Sequence, residues 1–146
     1  MSQLSPGRYF RRLTMTHATL IFVQLIMVLM AYYLRNHWMS PPAREEEGIF
    51  RIGLPLFALA GLYAGNRLFQ RRLKLAQGQA TLARKLFYYR GALHYRYILW
   101  SLPSLLAVAV WFFTGTWMYL LVTALFVALL LVYRPDIDRA RRELKL

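Results

Sequence analysis

The chain has 146 residues, 58% hydrophobic, 16% aromatic and 17% charged, more apolar surface than a water-soluble domain of this length can hide. Its 19 Lys and Arg against 6 Asp and Glu leave a formal charge of +13, a balance that would suggest nucleic acid; the cations flank apolar segments instead of lining one face of a domain, which excludes it. Cysteine is absent, so disulfides, thiolate metal centres, thiol catalysis and palmitoylation are excluded as well.

Four segments read as transmembrane helices: 13–34, 49–69, 97–113 and 117–133. Each is roughly 16 to 22 residues long where a bilayer needs about 20. The first follows Arg8, Arg11 and Arg12 as a signal peptide would, but its apolar run is too long and "MAYYLRNHW" contains no small-residue cleavage site, so it reads as a retained signal anchor. The following "SPPAREEEG" predicts a helix start, with Ser40 as cap, Pro41 at the first helical position and Glu45, Glu46 and Glu47 at the positive end of the dipole. In the second span, Arg51 lies near the end, where it can snorkel to the headgroups. Ala60, Gly61, Ala64 and Gly65 form a small-residue face that admits a second helix closely, either within the protomer or from a second copy.

Between the second and third spans lies a cationic stretch, 67–96. Leu75, Leu82, Leu86, Tyr89 and Leu93 recur at helical spacing while Arg67, Arg71 and Lys74 share another face, and "QGQ" at 77–79 is the one breaker. Helices two and three are therefore expected to run beyond the membrane as a hairpin turning near Gly78. A "TGT" link at 114–116 joins the third and fourth spans, and Pro135 closes the fourth. Behind Asp136, the stripe Ile137, Ala140 and Leu144 beneath Asp138, Arg139, Arg141 and Arg142 predicts an amphipathic surface helix over 136–145.

Cation distribution sets the threading. Three cations precede the first span, eight lie between Arg67 and Arg96, and five follow the fourth span; Arg35, Arg44 and Arg51 remain for the other side. By the positive-inside rule both termini and the central stretch face the cytoplasm, while 35–48 and 114–116 face outward. Arg67, Arg71, Arg72, Lys74, Arg84 and Lys85 serve on this reading as topology determinants, or alternatively as a face for anionic lipid. Tyr32, Tyr33, Trp38, Trp111, Trp117 and Tyr119 fall at the outer edge, and Tyr9, Tyr88, Tyr89, Tyr95, Tyr97, Trp100 and Tyr133 at or near the inner one, in agreement with that threading.

Groupings that could carry chemistry are few. His17 and His94 fall on the same side and could together ligate haem iron, but no spacing motif stands behind the pair, and an interhelical hydrogen bond is the ordinary role. His37 lies on the opposite side. Gln24, Asn66, Thr14, Thr16 and Thr19 are polar groups for a neighbouring helix to satisfy, and Gln24, Thr16 and Asn66 could alternatively line a conducting seam. No carboxylate lies inside the spans, where a proton-driven rotor or pump would need one. No phosphate-binding loop, nucleophile elbow or zinc-protease helix is present.

The stretches "THATLIFVQ", "GLYAGNRLF", "KLFYYRGALHYRYILWSLPSLLAVAVWFFTG" and "YRPDIDRARREL", in that order, resemble an uncharacterised family of small four-helix membrane proteins of Bacteroidetes-type bacteria. The resemblance covers most of 16–146 and implies a fold and a compartment, with no activity attached. It also implies an acidic residue in relatives where this chain has Ser101, shortly before Pro103. The expectation is thus an all-α protein of the bacterial inner membrane, its four spans arranged as two hairpins. The expected role is that of a non-catalytic subunit with no cofactor, whose partners are the bilayer and other membrane subunits or itself. A homo-oligomeric channel or small transporter is the alternative, and a b-type haem protein a third.

Overall fold

Inside a long apolar run the backbone N–H and C=O groups have only each other to bond, which leaves the helix as the local solution. The computed structural model describes the backbone of residues 6–38 and 47–145 and the side chains of 11–37 and 48–145; among them every regular element is a helix. In chain order these are α1 (Pro6–Trp38), α2 (Glu47–Gln77), α3 (Leu82–Thr114), α4 (Met118–Val132) and α5 (Ile137–Leu144). The expected helix start at Ser40 and Pro41 lies outside the described residues.

Three of these helices are long and apolar enough to cross a membrane, over Arg11–His37, Gly48–Gln77 and Leu82–Thr114, and they mark the chain as a membrane protein. The fourth expected span is different. At 15 residues α4 measures about 22 Å against an apolar core of about 30 Å, and α5 leaves it at a bend of 78°. The tail turns where Pro135 removes a backbone donor.

The helices α1, α2 and α4 all pack on α3. Half of its most apolar window is buried, against 17% for α1 and for α2, because α3 has α2 on one side and α1 with α4 on the other. On α2 the row facing it is Leu54, Ala58, Gly65, Phe69, Leu73 and Ala76, spaced as one helical face. Pro103, inside α3, has no N–H to give the carbonyl of Leu99, and that carbonyl faces Gly61. A Cβ at Gly61 would stand 2.8 Å from Cγ of Pro103 and 3.0 Å from the oxygen of Leu99; one at Gly65 would stand 2.8 Å from Nε1 of Trp100. The small-residue face is therefore used within the protomer. Gly61 and Gly65 admit the proline ring and the indole, while Ala60 is exposed on the far side and Ala64 half-buried.

Two expectations about the end of the bundle need correction. The apolar stripe does not run from Leu75 through Leu93: Leu75 and Leu82 are exposed, while Leu86, Tyr89 and Leu93 are buried with Leu73 and Ala76. The chain reverses between Gln77 and Leu82, and a reversal resets helical phase, so residues counted across Gly78 do not share a face. The stripe of α5 also meets protein instead of lipid. Ala140 and Leu144 are buried in the same cluster as Leu73, Ala76, Leu86, Tyr89 and Leu93, leaving Ile137 exposed.

The glycine contacts give a direct test. Gly65→Val should force α2 from α3 and lower the thermal unfolding midpoint in detergent, an overpacking cost of about 1–3 kcal/mol. Gly53→Ala, where nothing stands within 4 Å, should leave the midpoint unchanged or slightly raised.

Candidate functional site

The buried polar groups gather along α3. Gln24 of α1, 1% exposed, donates from Nε2 to Ser101 Oγ at 3.0 Å and accepts at Oε1 from Ser104 Oγ at 2.9 Å. Ser101 donates onward to the carbonyl of Tyr97, and Thr123 of α4 donates to the carbonyl of Ser104 at 3.2 Å. One glutamine thus spends both ends of its amide on α3, and α3 in turn ties α4. Among apolar side chains such a polar seam fixes rotation and depth, because a slipped helix strands each group without a partner.

Nearer the α2–α3 turn, His17 donates Nε2–H to the carbonyl of Leu130 on α4 at 2.8 Å, its ring 4.8 Å from that of Tyr97. The Tyr97 hydroxyl donates to the carbonyl of Tyr133 at 2.8 Å. His94 donates from Nδ1 to the carbonyl of Arg90 one turn back in its own helix, and it lines a cleft with Arg12, Thr16 and Arg90 from which His17 is absent. The two imidazoles proposed as haem ligands therefore face different neighbours, and the Nε2 of His17 is occupied by a carbonyl. The proposed seam of Gln24, Thr16 and Asn66 does not converge either. Gln24 is buried against α3, Thr16 is exposed and bonded to the carbonyl of Arg12, and Asn66 is exposed on α2.

Arg96, one of the eight cations of the central stretch, is 4% exposed. Its guanidinium carbon lies 4.4 Å from the ring of Phe69, 4.9 Å from Trp100 and 4.4 Å from Tyr133, and Arg139 also lies over the ring of Tyr133 at 4.6 Å. Its Nε has no hydrogen-bond partner, and neither has Nε1 of Trp100. A flat, weakly hydrated guanidinium tolerates this aromatic box where a compact ammonium would not. Beside the box, Glu143 of α5 accepts from the Tyr89 hydroxyl at 2.7 Å, gives its backbone carbonyl to Gln77 at 2.6 Å and pairs with Arg139 at 3.6 Å. The sequence analysis counted Arg96 only by its side of the membrane; its spacing from Leu93 and Trp100, both buried, was the signal that α3 turns it inward.

At the opposite end Arg35 of α1 donates to the carbonyls of Phe112 at 2.6 Å and Trp111 at 3.3 Å. It meets the last carbonyls of α3, that of Trp111 being shared with the Gly115 N–H, where a cation is favoured by the helix dipole. Gly115, at φ 74°, ends that helix, and a Cβ there would collide with the same guanidinium. Tyr32 stacks on Trp111, which lies 6.0 Å from Trp117. Trp111, Tyr119, Tyr97, Trp100 and Tyr89 are buried, so they pack the interior where interfacial rings were expected. Of the proposed lipid or topology cations, Arg67, Arg71, Lys74 and Arg84 are exposed, Lys85 is half-buried, and Arg72 lies across the ring of Tyr95 at 4.2 Å.

Two substitutions test these roles. Gln24→Leu should lower unfolding stability by about 1 kcal/mol in a detergent titration, since it removes both amide bonds and leaves Ser101 and Ser104 without their α1 partner. At position 96, Arg96→Lys should be less stable than Arg96→Met in thermal unfolding, because the ammonium loses the stacking and still carries a buried charge. Compared with family models, curated proteins and solved structures, the chain matches none, and its function is read from these residues alone.

Proposed function

We propose that this chain is a non-catalytic subunit of the bacterial inner membrane, an accessory to a larger assembly or a self-associating scaffold. The observation that carries the reading is where the polar and apolar groups have gone. Gln24, Ser101, Ser104, Thr123 and His17 are spent on tying α1 and α4 to α3. The outward face of α2, by contrast, presents Ile52, Leu56, Leu59 and Tyr63, all more than 60% exposed. An interior whose polar side chains are mostly engaged with other helices, beneath a broad apolar exterior, suits a protein that works by contact within the bilayer.

In this proposal α4 is the fourth crossing. It begins beside the Arg35 end of α3 and delivers α5 to the Gln77 end, so it covers the same height as the buried part of α3 between Trp111 and Tyr97. A helix this short is accommodated by local thinning of the bilayer. Both termini and the 67–96 hairpin then face the cytoplasm, as the cation distribution favours.

With no native cysteine, single-cysteine variants report threading cleanly. A maleimide that cannot cross membranes should label Thr116→Cys in intact cells and Lys85→Cys only after lysis; the reverse pattern overturns the orientation. Crosslinking in native membranes, followed by isolation of the tagged protein in mild detergent, should yield a specific partner or a multimer. A monomer with nothing attached would overturn the subunit reading.

A further inference from the structure

We propose that the cleft between α1 and α3 lined by Arg12, Leu13, Thr16, Arg90, Gly91 and His94 is a binding site for the phosphate of an anionic phospholipid. The inference rests on the chain being embedded in a bilayer, and not on its being a subunit of anything.

Charge carries the first part of the argument. The cleft measures about 410 Å³, and its lining holds two arginines and a histidine with no carboxylate. A third cation arrives from α2: Arg72 lies over Tyr95, with Nη1 3.5 Å from where a side chain on Gly91 would begin. The one ion pair among the described residues joins Arg139 to Glu143, whose carboxylate also takes the Tyr89 hydroxyl and is absent from the cleft lining. Cations from three helices thus border one cleft whose lining holds no carboxylate, an arrangement that favours a phosphate with several acceptor oxygens. The donors are defined. Thr16 has committed its hydroxyl proton to the carbonyl of Arg12, and His94 its Nδ1–H to that of Arg90, so the two guanidiniums are the donors that remain. The bare Cα of Gly91 lets the anion approach α3.

Position carries the second part. Leu13 forms the buried floor of the cleft, and the apolar run of α1 begins directly after Arg12, so the cations stand where a bilayer places its headgroups. Beyond the cleft the same helical rows turn apolar. Thr16, Val23 and Met27 follow one another at seven and four residues on α1, and His94, Ile98, Leu105 and Ala109 at four, seven and four on α3. Val23 and Ile98 are exposed, and the rows end in an apolar groove of about 200 Å³ that includes Met27 and Ala109. A phosphate in the cleft would therefore have its acyl chain laid along the α1–α3 seam. Free phosphate would gain nothing from that groove, which favours the lipid.

The test uses the intact protein in nanodiscs. Replacing phosphatidylcholine by a phosphatidylglycerol mixture should raise the thermal midpoint of the wild-type protein by several degrees. Arg12→Gln with Arg90→Gln should abolish at least two-thirds of that rise, and Arg67→Gln with Arg71→Gln, on an exposed face of α2, should preserve it. Equal loss in both pairs would mean diffuse surface charge and overturn the site. Inorganic phosphate or glycerol 3-phosphate in phosphatidylcholine discs, giving the full rise, would overturn the lipid as occupant. A diazirine-bearing phosphatidylglycerol keeps the proposal open to refutation should the double variant fold poorly. On the wild-type chain its adducts should concentrate in 12–27 and 90–105, and an even spread over all apolar faces would refute the site.

Discussion

In a bilayer, apolar side chains gain little by leaving lipid for protein, so what holds these helices together is the polar seam on α3 and the closeness of backbone contact beside it. Gln24 is central to that seam. It reaches Ser101 and Ser104 from α1, and Thr123 reaches the carbonyl of Ser104 from α4, so that three helices are registered within two turns of α3. The opposite side of α3 is held differently, by Gly61 and Gly65 admitting Pro103 and Trp100. One helix therefore has a hydrogen-bonding face and a close-packing face, and the remainder of the fold is arranged around that division.

Two arginines meet α3 in contrasting ways. Arg35 is bonded to carbonyls at the C-terminal end and does there what a cap does. Arg96, near the middle of the helix, touches rings and leaves Nε without an acceptor. The first arrangement adds a side-chain donor to the last backbone oxygens of the helix. The second puts a cation among Phe69, Trp100 and Tyr133 and gives α2, α3 and the segment after α4 a common contact.

The helical class and the three long apolar helices were legible in the sequence, because long runs free of carboxylates admit few other structures. The small-residue face on α2 was legible as a close-contact surface, but not its partner, since Gly61 and Gly65 carry no mark of which helix they will meet. The mistaken stripe through Leu75 came from counting a helical period across a turn, and the burial of Arg96 went unforeseen because a cation's sign says nothing about which way its helix is rotated. Gln24, noted as polar glue, proved the centre of the seam; the serines that receive it were hidden by their ordinariness, Ser101 being remarked only through the resemblance. Histidine pairing failed as a guide for a geometric reason. Two residues at a similar depth need not share a face, and His17 turns to α4 while His94 bonds back along α3.

The docking of α5 has a consequence for how the protein is made. Residues 137–144 emerge from the ribosome after everything they cover, so Leu73, Ala76, Leu86, Tyr89 and Leu93 share an incompletely closed cluster until Ala140 and Leu144 join it. Gln77 and Tyr89 wait in the same way for Glu143. During that interval of synthesis the far end of the α2–α3 pair exposes an oily surface and unbonded donors, the kind of surface that a chaperone or insertion factor holds until the last turn of helix arrives.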